Sequence, residues 1–135
     1  QEKQPHMLEL ASSYFEKLTG ERYTLDILGI NKGVALINNN GERLELKFWS
    51  SGLADQVYLS LRLALAKVFS YQVESLPIIL DDILVRFDEN RQRSALELLA
   101  ELGKNQQIWL FTCQRSVYDM AQSIMGIDCH RLSRS

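Results

Sequence analysis

Two acidic residues, Asp81 and Asp82, directly follow the apolar run Ile78-Ile79-Leu80. A short β-branched run of this kind reads as a buried strand. In an open α/β sheet such a strand delivers its last residues to the edge where ligands bind. Neighbouring carboxylates at that edge are costly unless a cation or hydrogen-bond donors compensate them. Magnesium suits the position, because it takes a few carboxylates and keeps much of its hydration. Side chains alternate along a strand, so the two acids are expected to divide the work: one holds Mg²⁺ through water and the other faces a reacting phosphate. Taken alone, the pair is equally well explained by one acid capping the next segment and the other standing in solvent.

A second group is Ser50-Ser51-Gly52, which precedes a helical pattern running from Asp55 to Phe69. Glycine lets a backbone N–H approach an anion, and the first turn of a helix presents free N–H groups and a positive dipole end. The serine hydroxyls add donors, so the segment is a chemically sensible phosphate contact. By itself it is more simply a helix cap.

Composition limits what can surround these groups. A chain of 135 residues makes one compact domain, and 46% hydrophobic with 24% charged residues describes a soluble globular protein. The net charge of -2 does not suggest a nucleic-acid surface. Nothing approaches the length of a membrane span, and Gln1 to Met7 lacks a signal-peptide core, so a cytoplasmic protein without membrane contact is expected. Cys113 and Cys129 lie in apolar, strand-like surroundings without C-x-x-C spacing and are expected to be buried free thiols. A start at Gln1 suggests a piece of something longer.

The elements that must position the two groups follow from periodicity. Residues 4–18 carry an approximate helical stripe of Leu8, Leu10, Ala11, Tyr14, Phe15 and Leu18, stopped by Gly20. Short strands are expected at residues 23–28, 34–37 and 43–48, with Asn39-Asn40-Gly41 as a hairpin turn using consecutive positive φ angles. The pattern then becomes helix 55–69, buried strand 78–80, helix 89–102 ended by Gly103, buried strand 108–112, helix 117–124 and a final strand 127–132. Alternating helices and strands favour parallel pairing, giving an α/β lobe with a small antiparallel annex.

Ser50-Ser51-Gly52 with Asp55-Gln56-Val57-Tyr58-Leu59-Ser60-Leu61-Arg62-Leu63-Ala64 resembles the signature helix of SMC-type ABC ATPases, and most of all their YhaN-like bacterial group. Leu80-Asp81-Asp82 with Phe87-Asp88-Glu89-Asn90-Arg91 resembles the Walker B strand and D-loop of that group. Leu110-Phe111-Thr112-Cys113-Gln114 stands where the group has its switch segment. Ala11-Ser12-Ser13-Tyr14-Phe15 with Leu18-Thr19-Gly20-Glu21-Arg22-Tyr23 is similar to the end of the coiled coil that enters the head. The likeness covers nearly the whole chain in the right order. It implies the C-terminal part of a P-loop NTPase head: residues 1–20 ending a coiled coil, 21–48 forming antiparallel strands, and 49–135 carrying the signature helix, Walker B, D-loop and switch.

The resemblance also implies roles. Ser50, Ser51 and Gly52 would meet the γ-phosphate of ATP held by an opposite head, Asp81 would order Mg²⁺, and Asp82 would polarise the attacking water. Asp88 would be the D-loop acid, and Gln114 occupies a switch position that is usually His. Asp82 is one methylene shorter than the Glu of most ABC ATPases. Gln114 cannot take up a proton, although its amide can bond a phosphate oxygen.

A complete head also needs a Gly-x-x-x-x-Gly-Lys-Ser/Thr loop to cradle phosphates. The chain's single Gly-Lys, at Gly103-Lys104, has Leu98 at the first glycine position and Asn105 in place of the hydroxyl. The Walker A loop of the family lies in an N-terminal lobe, so the expected partners are that lobe, a second head in a homodimer, and DNA through the parent protein. ATP and Mg²⁺ would bind only in the complete or dimeric head. DNA repair or chromosome maintenance is the setting the resemblance implies. The competing reading is a non-catalytic, ATP-dependent dimerisation module. A Toprim-like nuclease would require an upstream Glu motif and Asp-x-Asp spacing, which the sequence lacks. The apolar side chains of helix 55–69, Tyr58, Leu65 and Phe69 among them, are expected to be core, with Arg62 as a partnered buried cation or an interface group. Trp49 is expected only to pack.

Overall fold

Helix α1 (Lys3–Thr19) forms because Ala11, Tyr14, Phe15 and Leu18 fall on one face and are all buried. It ends at Gly20, whose φ of 76° is open to glycine and whose N–H donates to the Glu16 carbonyl at 2.7 Å. The computed structural model describes residues 3–20, 23–27, 34–45, 48–70 and 77–131. These residues fall into two compact units, Gln1–Ser75 and Leu76–Ser135.

In the first unit α1 precedes a three-stranded antiparallel sheet of β1 (Thr24–Ile27), β2 (Val34–Ile37) and β3 (Arg43–Glu45), with β2 in the middle. The Leu25 N–H donates to Ser12 Oγ at 3.0 Å, and the Phe15 and Tyr23 rings meet edge-on at 5.9 Å, so the sheet is tied to the helix by both polar and aromatic contacts. The β2–β3 turn differs from the expected one. Asn38 Oδ1 accepts from the N–H groups of Asn40 and Glu42, both at 2.9 Å, and Gly41 alone in the turn takes a positive φ, 81°. The asparagine side chain organises a longer loop, so Asn39 and Asn40 need no left-handed backbone. The strand expected over 43–48 ends at Glu45; Leu46 and Lys47, like Leu28 at the end of the first expected strand, lie outside the described residues.

Helix α2 (Ser51–Ser70) packs on α1 and starts four residues earlier than its apolar pattern suggested. Val57, Leu59, Leu63, Ala64 and Val68 are buried. Tyr58, Leu65 and Phe69 are exposed, as is Arg62, which donates to the Tyr58 hydroxyl at 3.4 Å; these residues are therefore not core and Arg62 is not a buried cation. A helix with apolar residues on all sides can bury only the face that meets a neighbour. Trp49 does more than pack: its Nε1–H donates to the Leu44 carbonyl at 3.1 Å, holding the start of α2 against β3.

In the second unit β4 (Ile78–Asp81) and β5 (Ile108–Phe111) pair in parallel, with α3 (Glu89–Leu102) as the crossover, and α4 (Arg115–Gln122) packs on α3. The core holds Ile78, Leu80, Leu84, Phe87, Ala95, Leu96, Leu99 and Val117. Neither strand is covered on both faces as expected. Burial alternates along β4, leaving Ile79 exposed, and Trp109 and Phe111 of β5 are exposed as well. The expected final strand is also absent: residues 127–131 form no strand, and Leu132 lies outside the described residues. Cys113 is exposed and Cys129 half-buried, and neither is in a strand, which corrects the expectation of buried thiols. Among the described residues no helix is long and apolar enough to cross a membrane.

Candidate functional site

The serine-glycine segment opens α2 in the way a helix amino end requires. Ser50 precedes the first helical residue, and its Oγ accepts from the Leu53 N–H at 3.1 Å while its carbonyl accepts from Ala54 at 2.9 Å. Ser50 is thus an N-cap. Capping commits one lone pair of the hydroxyl and leaves its proton available to an acceptor outside the helix. Ser50 and Ser51 are exposed and Gly52 is half-buried, so the first-turn donors face an accessible surface. One turn on, Gln56 is buried, and its Oε1 has no hydrogen-bond partner among the described residues.

The acids lie at the carboxyl edge of the β4–β5 pair. Asp81 is the last residue of β4 and stands opposite Phe111; its side chain is exposed on the same face as Ile79 and Trp109. Asp82 does not continue the strand. Its φ is 53°, in the left-handed region that few residues other than glycine enter, although Asp tolerates it better than most. The two acids are therefore distinguished by a change of backbone conformation and not by the strand alternation that the sequence suggested. The Asp82 N–H donates to the Phe111 carbonyl at 2.7 Å, which fixes the turned-out residue to the neighbouring strand.

Thr112, the residue after β5, meets the Asp82 side chain. Its hydroxyl donates to Asp82 Oδ1 at 3.3 Å and accepts from the Gln114 N–H at 3.1 Å. Gln114 is the N-cap residue of α4 but makes no side-chain cap bond, and its Oε1 is buried without a partner among the described residues. Asp81, Asp82, Thr112 and Gln114 thus gather at one end of the parallel pair, where the topology of an open α/β sheet puts a ligand. Asp88 sits further along the same loop. One of its oxygens caps α3 by accepting from the Arg91 N–H at 2.8 Å, and the other faces the Arg91 guanidinium at 3.6 Å. The carboxylate remains largely exposed.

Two residues escaped sequence reasoning. Gln92 is buried on α3, and its Nε2 donates to the Leu84 carbonyl at 3.1 Å, bracing the loop between Asp82 and Asp88. In the sequence Thr112 is only one residue of the switch segment. A hydroxyl two residues before Gln114 was the available signal for it, whereas nothing in the amphipathic pattern of α3 distinguished Gln92.

No family model matches the chain. In sequence it is 34% identical over 122 residues to the uncharacterised protein YhaN of Bacillus subtilis, a match spanning 88% of this chain and 12% of YhaN. In fold it resembles SMC heads. An SMC ATPase solved in work on ATP-driven dimerisation and DNA-stimulated activation superposes with a TM-score of 0.69 at 17% identity, over 87% of this chain and 73% of that one. The SMC head domain of Thermotoga maritima gives 0.65 at 19% identity, over 86% and 40%. A Pyrococcus furiosus Smc head with an extended coiled coil, bound to the C-terminal domain of ScpA, gives 0.64 at 16% identity, over 89% and 30%. The chain therefore spans about an eighth of the curated relative it matches.

Proposed function

We propose that this chain, which has the fold of an SMC head and is similar to YhaN in sequence, is the C-terminal lobe of an SMC-like ATPase head and supplies half of an ATP-hydrolysing site at a head–head interface. The observation that carries the reading is the acidic edge. An exposed carboxylate ends β4, and the next residue is turned out of the strand at a positive φ and tied to both Phe111 and Thr112. Backbone strain of this kind concentrates at functional sites.

The residues suit a magnesium nucleotide. Among the described residues no three metal-ligating side chains converge, so Asp81 offers a single exposed carboxylate. Mg²⁺ is commonly held in this way in phosphoryl-transfer sites, with waters and phosphate oxygens completing the shell. When bound, the ion neutralises charge on the β- and γ-phosphates. Asp82 orients the attacking water and accepts its proton, Gln114 offers its amide to a phosphate oxygen, and Asp88 lies at the head–head interface. Ser50, Ser51 and the Gly52 backbone present hydroxyl and N–H donors to the γ-phosphate of ATP on the opposite head, aided by the positive end of α2. Catalysis then consists of positioning and electrostatics.

The Walker A loop and the second sheet layer come from an N-terminal lobe. The apolar face of Ile79, Trp109 and Phe111 supports this partner, since it abuts Asp81 and places three large apolar side chains side by side at the surface. DNA repair or chromosome maintenance through the parent protein, in the cytoplasm, is the setting we assign. A non-catalytic dimerisation module is the second reading, favoured by Gln114, which cannot shuttle a proton.

Steady-state ATPase assays of the complete head test the proposal. Asp82→Asn is expected to lower kcat on the order of a hundredfold or more, while the isolated lobe shows no micromolar binding of Mg-ATP by calorimetry. Undiminished turnover in Asp82→Asn removes Asp82 from the chemistry and leaves the dimerisation reading.

A further inference from the structure

We propose that Thr112 is a positioning residue for Asp82: its hydroxyl locks the carboxylate that orients the attacking water. The inference rests on the reading of Asp82 given above. A hydroxyl carries one proton and two lone pairs, and an ionised carboxylate only accepts. The Gln114 N–H, 3.1 Å away, occupies a lone pair of Thr112 Oγ1, and the hydroxyl proton goes to Asp82 Oδ1 at 3.3 Å. The direction of each bond is thus fixed by chemistry.

The same acid is held at its backbone. The Asp82 N–H reaches the Phe111 carbonyl at 2.7 Å, and φ is 53°. Main chain and side chain of Asp82 are therefore both anchored on consecutive residues of one strand end, Phe111 and Thr112. One carboxylate oxygen is engaged by Thr112, and the other is left for a water. Because Gln114 bonds the same hydroxyl, the switch segment and the acid share a single atom, and the segment sets the acid's orientation. A hydroxyl at this position both accepts from the backbone and donates to the acid through one atom. Valine has the same shape and can do neither.

The test is a set of variants in the complete head, assayed for kcat and KM with Mg-ATP and for thermal unfolding. Thr112→Val is expected to lower kcat about tenfold or more, since a small misplacement of a reacting group has costs of that order. KM should change less than twofold, and Thr112→Ser should retain at least half the wild-type rate. Thr112→Ala serves if the valine variant does not fold. Wild-type kcat in Thr112→Val or Thr112→Ala overturns the inference, and so does an equal loss in Thr112→Ser, which would assign the effect to shape and not to the hydroxyl. Asp82→Asn, run alongside, separates the two levels. If it turns over normally the reading of Asp82 itself fails; if it is inactive while Thr112→Val is not, only the role of Thr112 falls.

Discussion

Ile79 of β4 stands opposite Trp109 of β5, and both side chains are about half exposed, at 54% and 46%. Phe111, two residues beyond Trp109, stacks on it with ring centroids 6.5 Å apart and planes 12° apart. Asp81 lies opposite Phe111, so the apolar face runs directly to the acidic edge. A second layer laid on this face would exclude water beside Asp81 and strengthen its electrostatic interactions.

The first prediction concerns that layer. Fully burying a large apolar side chain is worth about 1.5–3 kcal/mol. About half of that remains to be gained at these half-exposed residues, so Ile79→Asp or Trp109→Ser should weaken assembly with the Walker A lobe by roughly fivefold or more. The isolated lobe should lose less than the assembly does, because about half of each substituted residue is already in water. Binding of separately expressed lobes by calorimetry, with urea unfolding of this lobe as the control, measures both. Unchanged lobe–lobe affinity in Trp109→Ser would remove the face from the interface.

A second prediction separates the two tasks of Ser50. As an N-cap it stabilises α2, and Ser50→Ala should cost about 1 kcal/mol in urea unfolding. Asp caps as well as Ser does, so Ser50→Asp should fold with wild-type stability. It also sets a negative charge where the γ-phosphate of the opposite head would arrive, and ATP-dependent dimerisation should drop sharply in this variant. Light scattering with and without Mg-ATP reads the outcome. If Ser50→Asp dimerises as well as wild type, Ser50 is a cap and nothing more.

The sequence made most elements legible because their patterns were local. The stripe of α1, the apolar run of β4 and the amphipathic α3 each follow from side-chain spacing, and Asp81-Asp82 stands out because two neighbouring carboxylates are costly unless something compensates them. What it hid was non-local. Ile78-Ile79-Leu80 is apolar throughout, so nothing in it says that Ile79 faces outward, and only the pairing with β5 reveals an uncovered side. The left-handed turn at Asp82 is equally silent, since Asp tolerates that region without requiring it. α2 extends back to Ser51 because Ser50 caps it, whereas the apolar pattern registers only from within the helix. Residues 127–131 alternate in polarity like a strand but pair with none of the described strands.

The third prediction falls on Gln92, which braces the loop from Asp82 to Asp88 through its bond to the Leu84 carbonyl at 3.1 Å. Gln92 is only 7% exposed, and Leu84 beside it is buried, so water cannot readily replace the lost donor. Gln92→Met keeps the length of the side chain and removes one of the two donors to this carbonyl, which retains the Phe87 N–H at 3.1 Å, so the expected cost is that of one hydrogen bond, about 0.5–1.5 kcal/mol. Urea unfolding of the lobe should show that loss as a lower midpoint with unchanged slope. Because the loop joins the water-orienting acid to the cap of α3, kcat of the complete head should fall as well. A wild-type midpoint in Gln92→Met would mean that the Phe87 N–H alone holds the carbonyl and that the brace is dispensable.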